Sequence, residues 1–130
     1  MRGTKPHLVV DNGAVDKSLS APSWLSSEAK KEWKRVIDLL VERRILTRAD
    51  LASLENYCIA IGQVRDCEKH LQDHGHVIDV DGVMKRNPSV GIQSDAMTRA
   101  RLLAAELGLT PVSRSRPTIR DQEDDDSLLD

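Results

Sequence analysis

The sequence predicts a mostly α-helical protein: a long helical hairpin followed by a third helix. Apolar residues recur at helical spacing in three segments, each bounded by recognisable start and stop signals. Aromatic residues make up only 2% of the 130 residues, so aliphatic side chains must build the core, which favours helix-on-helix packing. A short β-hairpin is expected between helices two and three, and both terminal tails are expected to be disordered.

The first helix is expected to begin at Ser26 or Ser27, either of which can cap it, with Glu28 near the positive end of the helix dipole. The carboxylates along this helix and the others are interpreted as solvated. The tryptophans are interpreted as core residues rather than platforms for base stacking. The predicted apolar face consists of Ala29, Trp33, Val36, Ile37, Leu40 and Val41.

Thr47 and Asp50 form the pattern of a capping box, which predicts the start of a second helix that Gly75 should end. At about 26 residues, this helix would be roughly 39 Å long. Two neighbouring apolar stripes run along it, so we expect helix one on one side and another helix or subunit on the other. Four of its residues are therefore assigned to oligomerisation: Leu54, Tyr57, Ile61 and Val64.

Two short apolar runs on either side of Asp81-Gly82 predict a hairpin or a tight turn. It should pack on another element, because an isolated hairpin is marginal in water. Asn87 and Pro88 are a cap and a first residue for the third helix, and Gly108 predicts its end as a Schellman motif. The apolar face of this helix is predicted to be Val90, Ala96, Met97, Ala100, Leu103, Ala104 and Leu107.

These signals divide the chain into a flexible arm (residues 1–20), a helical body that we expect to oligomerise (21–111) and a basic-then-acidic tail (112–130). The net charge of -2 conceals an asymmetry, because residues 121–130 hold no basic residue and 6 of the 21 acidic ones. The rest of the chain is mildly basic, which is a weak signal of nucleic-acid binding. No apolar run approaches the roughly 20 residues of a membrane span, so we expect a cytoplasmic protein.

No pattern of a catalytic or cofactor site occurs, since a nucleophile elbow, a phosphate-binding glycine loop and a zinc-protease motif are all missing from the sequence. We therefore expect a protein that is not an enzyme and that binds no cofactor. Cys67, His70 and His74 come nearest to a metal site, but no further ligand completes the set, and we expect no metal there. Cys58 and Cys67 lie about 13 Å apart along one helix, so both should be reduced.

Basic residues cluster in three places, and we predict that they bind DNA phosphates with a strong dependence on salt. Helix two is too long for a typical recognition helix, so DNA should meet loops, arms and tails. For the set on helix one, a solvated helix face is an equally open interpretation. The clusters are Lys30, Lys31 and Lys34, next to Arg35, on helix one; Arg43, Arg44 and Arg48 at the first turn; and Arg114, Arg116 and Arg120 after helix three. In the acidic tail, Leu128 and Leu129 are an apolar pair suited to docking on a partner.

An ordered set of short motifs over residues 20–116, preceded by one at the N-terminus, resembles the P27 family of phage terminase small subunits. The motifs are Gly3-Thr4-Lys5-Pro6, Ala21-Pro22-x-x-Leu25 before a helix with Ala29 and Trp33, Ile45-Leu46-Thr47-x-x-Asp50 before one with Leu54 and Tyr57, Asn87-Pro88, and Leu107-Gly108-Leu109-Thr110-Pro111 followed by arginines.

The resemblance implies a non-enzymatic protein of the host cytoplasm. It would bind double-stranded viral DNA as a homo-oligomeric ring and recruit the large ATPase-nuclease subunit for genome packaging. Two alternatives remain open: a small dimeric DNA-binding regulator of the repressor type, and a structural adaptor that does not bind nucleic acid. A ring in solution favours the terminase role and a dimer favours the regulator.

Overall fold

A computed structural model describes residues 17–111 of the chain. They form three helices and one two-stranded antiparallel hairpin, so the predicted class and order of elements are confirmed. In chain order the elements are α1 (Ser27–Glu42), a 3-10 turn (Arg48–Asp50), α2 (Leu51–His74), β1 (Val77–Val80), β2 (Val83–Arg86) and α3 (Pro88–Glu106).

Most of the predicted arm and all of the predicted tail lie outside the described residues. The same holds for five assigned site residues, Arg114, Arg116, Arg120, Leu128 and Leu129. The last residues of the arm are described, and they contact α1. The Ser18 hydroxyl donates to the Asp38 carboxylate, and the Trp33 indole donates to the carbonyl of Leu19 at 2.8 Å. The chain is therefore attached to α1 from Ser18 onward.

Both helices of the hairpin begin at the predicted caps. The Ser26 hydroxyl accepts a hydrogen bond from the backbone N–H of Ala29 at 3.2 Å, which satisfies one of the unpaired donors at the start of α1. The Asp50 carboxylate accepts from the backbone N–H of Thr47 at 3.0 Å and from its hydroxyl at 2.9 Å. Because residues 48–50 form a 3-10 turn, α2 itself has 24 residues, slightly fewer than predicted.

The central helix is α2, which packs against α1 on one side and α3 on the other. The expectation that one of its stripes needs a neighbouring helix or subunit is met by α3, within the same chain. Leu54 and Tyr57 are buried in this core, whereas Ile61 and Val64 are half-buried. Packing within one chain thus accounts for the apolar character of Leu54 and Tyr57, and a role for these four residues in oligomerisation stays a prediction.

Small side chains allow α3 to lie close to α2. Ala96, Ala100 and Ala104 recur every fourth residue along α3, and all three are buried. Met97 was predicted on this face but is 49% exposed, because the next residue along a helix points about 100° away. The predicted Schellman motif is confirmed: Gly108 has φ +73°, and the N–H of Leu109 donates to the carbonyl of Ala104 at 2.9 Å.

The predicted hairpin is confirmed, but within residues 17–111 no helix supplies the extensive packing that we expected for it. Val80 pairs with Val83 across a two-residue turn in which Asp81 and Gly82 both have positive φ, as a type I′ turn requires. Most side chains of the two strands are exposed, and neither strand packs extensively on a helix in residues 17–111. The hairpin is held at its base by Asn87, whose backbone N–H donates to the carbonyl of His76 at 2.7 Å and whose side-chain amide donates to that of Gly75 at 3.0 Å.

The start of α1 approaches α2 closely at Gly62. A Cβ atom at this position would lie 3.1 Å from the backbone nitrogen of Ala29 and 3.3 Å from the Ser26 hydroxyl. Gly91 in α3 is also helical, yet a Cβ atom there would meet nothing within 4 Å. The two glycines therefore differ in the space around them and not in their helical conformation.

We expect Gly91→Ala to raise the free energy of unfolding by about 0.5–1 kcal/mol, because alanine loses less backbone entropy than glycine in a helix. Gly62→Ala should fall short of that gain, since the start of α1 must shift to admit the new methyl group. Urea denaturation of the two variants beside the parent chain measures both effects. Equal gains would show that α1 does not press against Gly62.

Candidate nucleic-acid interface

A buried carboxylate inside the helical hairpin binds one of the basic residues predicted on α1. The side chain of Glu32 on α1 is fully buried. Arg35 donates to it from Nε at 2.8 Å and from Nη2 at 2.5 Å, and the hydroxyl of Tyr57 donates at 2.6 Å. Arg65 on α2 completes the set with a hydrogen bond at 2.7 Å. One acidic side chain thus joins α1 to two residues of α2.

The environment of Glu32 favours its charged form. Burial is the largest single influence and raises the pKa of the carboxyl group, but the hydrogen bonds from Arg35, Tyr57 and Arg65 and the charge of Arg35 outweigh it, so the pKa lies below the ordinary value. The same contacts hold the pKa of Arg35 above its ordinary value. For Tyr57, burial followed by the hydrogen bond to Glu32 raises the pKa of the phenol.

A second acidic residue lies one turn earlier on the same face of α1. The carboxylate of Glu28 accepts from Lys69 on α2 at 2.6 Å and from Lys31 at 3.1 Å, and these hydrogen bonds lower its pKa. Its side chain is 8% exposed. The interpretation of the helix carboxylates as solvated is therefore wrong for Glu28 and Glu32. Two acidic residues four apart on α1 face two basic residues, Arg65 and Lys69, four apart on α2.

Sequence reasoning missed Arg65 and Lys69, although a signal was present. Acidic residues at positions i and i+4 on one helix, and basic residues at the same spacing on the next, can pair across an antiparallel hairpin. The signal was obscured because each charge also fits an exposed helix face.

Among residues 17–111, two of the basic residues predicted on α1 form ion pairs within the helical hairpin, and two do not. Arg35 and Lys31 are engaged with Glu32 and Glu28. In the described part of the chain, the exposed side chains of Lys30 and Lys34 make no ion pair. These two lysines border a hollow of about 350 Å³, together with Trp33, Ile37 and residues 19–21.

The three corner arginines lie at the turn between α1 and α2. Arg44 reverses the chain with φ +57°, and its N–H donates to the carbonyl of Val41 at 3.0 Å. Arg43 and Arg48 are exposed, and among residues 17–111 neither side chain has an ionic partner. The acidic residue of the 3-10 turn, Asp50, accepts hydrogen bonds from the N–H and the hydroxyl of Thr47.

The corner meets the end of α3. A Cβ atom on Gly108 would lie 3.4 Å from the Cδ1 atom of Ile45, so the turn between α1 and α2 touches the Schellman motif. The described residues end at Pro111, three residues after Gly108. The structure therefore places the corner beside the end of α3, and in the sequence the third basic cluster begins three residues after Pro111. By contrast, Lys30 lies roughly 20 Å from Arg43 along α1.

The two tryptophans differ in their exposure to solvent. Trp33 is buried, but Trp24 is 63% exposed, so its assignment to the core is wrong. Cys58 and Cys67 are buried free thiols, and burial raises the pKa of Cys58 to about 12. The rings of His70 and His74 lie against each other, with centroids 4.4 Å apart and planes tilted by 37°, and residues 17–111 contain no group of three His, Cys, Asp or Glu side chains that could hold a metal ion. None of the helices in this region has the length and apolarity needed to cross a membrane.

Comparison with known protein families gives a match to the family described as phage terminase, small subunit, over residues 29–124. The chain belongs to this family. The match includes nearly all of α1, the complete α2, hairpin and α3, and most of the basic-then-acidic tail. No curated protein and no solved structure matches the chain. The finer assignment to the P27 group of terminase small subunits stays a prediction.

We expect Glu32→Gln to lower the free energy of unfolding of this terminase small subunit by about 1–3 kcal/mol, because hydrogen bonds to a charged group are stronger than neutral ones, while both arginines still reach water. Urea denaturation at neutral pH measures the loss. Glu42→Gln, at the exposed end of the same helix, is the matched control. Similar losses in both variants would contradict a special role for Glu32.

The same carboxylates predict how stability depends on pH. Their pKa values are lowered in the folded chain, so their stabilisation is fully present above the pKa of the unfolded chain, about 4.3, and is lost as the pH falls through the folded pKa. The urea midpoint of the parent chain should therefore fall in acid. The midpoint of Glu32→Gln should fall less steeply over the same range.

Proposed function

We propose that this chain is the DNA-binding small subunit of a phage terminase, which presents double-stranded viral DNA to the large ATPase-nuclease subunit for packaging. Family membership supports the terminase role. The observation that carries the DNA-binding part is the position of exposed Arg43 and Arg48 beside the end of α3. In this proposal the chain works in the host cytoplasm, is not an enzyme and uses no cofactor, since the large subunit supplies the catalytic steps.

In this proposal the arginines of the tail add to the DNA contacts of the corner. Arg114 follows Pro111 by three residues, a distance of roughly 10 Å for an extended chain, so the tail arginines can reach the same DNA backbone as the corner. Arg116 and Arg120 follow within the next six residues. Guanidinium groups on a turn and a tail neutralise phosphates without reading bases, so binding should tolerate many sequences.

The packing of α2 argues against a repressor-like regulator. A recognition helix in the major groove is usually short. Here α2 has 24 residues and is the central helix of the body, with Leu54, Tyr57 and Cys58 buried in its core. We therefore favour contact through the corner and tail over insertion of α2 into DNA. The adaptor alternative requires that the chain bind no DNA, which the next experiment tests directly.

We expect Arg43→Ala with Arg48→Ala to weaken DNA binding and to flatten the slope of log K against log salt by up to about 0.9 for each phosphate that the protein no longer neutralises. Arg44 is left unchanged because its backbone forms the turn. Lys30→Ala with Lys34→Ala, which removes two exposed charges near the other end of α1, is the matched control. If only the lysine variant has a flatter slope, the DNA contacts α1 and not the corner. If the parent chain binds no DNA, the adaptor alternative is favoured.

We also propose that Leu128 and Leu129 dock on the large subunit, since they are the only apolar residues among the last ten, which hold six acidic side chains. Leu128→Ser with Leu129→Ser keeps every charge of the tail. This variant should bind DNA as the parent chain does and lose stimulation of the large subunit's ATPase activity.

Deletion of residues 121–130 separates docking from electrostatic shielding. If the acidic residues shield Arg114, Arg116 and Arg120, the truncated chain should bind DNA more tightly than the parent chain, and the double serine variant should not. If the truncated chain binds DNA and stimulates the large subunit as the parent does, neither role holds.

A further inference from the structure

The hairpin leaves apolar side chains in water at the end of the bundle opposite the corner arginines. Val77 and Val83 are each 55% exposed and Met84 is 64% exposed, although all three lie within ten residues of one another. A two-stranded hairpin is marginal by itself, and a row of unpaired backbone groups beside exposed apolar residues is a template for another strand. Within residues 17–111, β1 and β2 pair only with each other, so no third strand covers either outer edge of the hairpin.

The register identifies which backbone groups face outward. In a two-residue hairpin the closing pair, Val80 and Val83, exchanges both hydrogen bonds, and bonded and non-bonded pairs then alternate along the strands. The hydrogen bond from Asn87 N–H to the His76 carbonyl at 2.7 Å continues the same alternation. The N–H and C=O groups of Val77 and Asp79 therefore face outward on β1, and those of Met84 and Arg86 face outward on β2.

The two outer edges carry opposite charges. Asp79 lies on β1 and Asp81 follows it in the turn, whereas Lys85 and Arg86 are both on β2. If two β1 edges met, Asp79 would face its own copy, and if two β2 edges met, the basic residues would do so. Pairing of β2 with β1 places opposite charges together, which is favourable, while like charges opposite one another are destabilising.

We propose that the hairpins of neighbouring copies pair edge to edge, with β2 of one copy adding to β1 of the next. The occupant of each edge is a second copy of this chain, because the acidic edge and the basic edge complement each other. Repeated pairing of this kind is head-to-tail, and it closes into a ring when the rotation between copies allows it. The interface deepens the proposed function and rests on it, since it would supply the homo-oligomer that the sequence analysis expects of a terminase small subunit.

The side chains are suited to such a sheet. Ile78 and Lys85 are directly opposite, as are Val80 and Val83, so these four side chains share one face. Three of the four are apolar, and neighbouring hairpins would join them into a continuous apolar layer. On the other face, Asp79 of one copy would lie within reach of Arg86 of the next.

Two substitutions test the pairing, each beside a matched control. Met84→Pro removes an N–H group that faces away from β1, so the hairpin keeps its own hydrogen bonds while the outer edge loses one. Met84→Thr keeps that N–H group and is the control. Arg86→Glu reverses the charge of the β2 edge, and Arg86→Lys keeps it.

Sedimentation velocity across micromolar concentrations measures assembly, and circular dichroism measures the helices. We expect the parent chain, Met84→Thr and Arg86→Lys to form the same oligomer. Met84→Pro and Arg86→Glu should shift towards the single-chain mass of 14.5 kDa with unchanged helix content. A monomeric parent chain overturns the proposal, as does parent-like assembly of Arg86→Glu, whatever Met84→Pro does.

DNA binding by the same samples separates this interface from the proposed function. Assembly that depends on Met84 and Arg86 in a chain that binds no DNA would keep the interface and reject the DNA-binding role. If Met84→Pro and Arg86→Glu both assemble and bind DNA as the parent chain does, the DNA-binding role is supported and the hairpin interface is rejected. The hairpin and the corner can be altered independently, because α2 separates them by roughly 36 Å.

Discussion

The buried carboxylate of Glu32 holds α1 in one position along α2, and the rest of the helical body depends on that position. Apolar stripes alone would let two helices slide by a turn with little change in buried area. Glu32 allows no such slide, because an unpaired buried charge costs several kcal/mol. Glu28 and Lys69 set the same register one turn away, where the missing side chain of Gly62 admits the start of α1. Buried ion pairs need not add stability in total, and here we infer that their main contribution is to specify a single alignment.

That alignment gives the body two distinct ends. Because α1 and α2 are antiparallel and α3 runs back along α2, the turn between α1 and α2 meets the end of α3, and the hairpin emerges at the opposite end. Exposed Arg43 and Arg48 therefore lie beside the end of α3, while exposed valines and Met84 lie on the hairpin. In the proposed function, this separation lets DNA and a neighbouring copy bind at different ends of the body, so that neither contact obstructs the other. In the proposed function, the long central helix serves as the spacer between them.

Local sequence signals predicted the boundaries of the elements well, because caps and turns depend on a few neighbouring residues. The hydroxyl of Ser26, the positive φ of Gly108 and the Asp81-Gly82 turn act within four residues or fewer of the atoms that they satisfy. Periodicity was less reliable where it touched the edge of a face: Met97 is adjacent to the buried stripe of α3 and yet points into solvent. Trp24 shows the same limit, since aromatic size indicates a preference for burial and does not show whether a neighbour is available to provide it.

The sequence by itself determined the helical class, the order of the elements and their caps, because each of these depends on residues that are close together in the chain, and the order of those short motifs along the chain carried the likeness to terminase small subunits. Only the tertiary structure decided which charges are used inside the protein and which remain on its surface. Glu32, Arg35 and Arg65 have the spacing of ordinary exposed residues, and their roles appear when α1 and α2 come together. The same is true of the hairpin, whose apolar residues predicted a packed element. Burial depends on partners that are distant in the chain, and in the described body neither strand packs extensively on a helix.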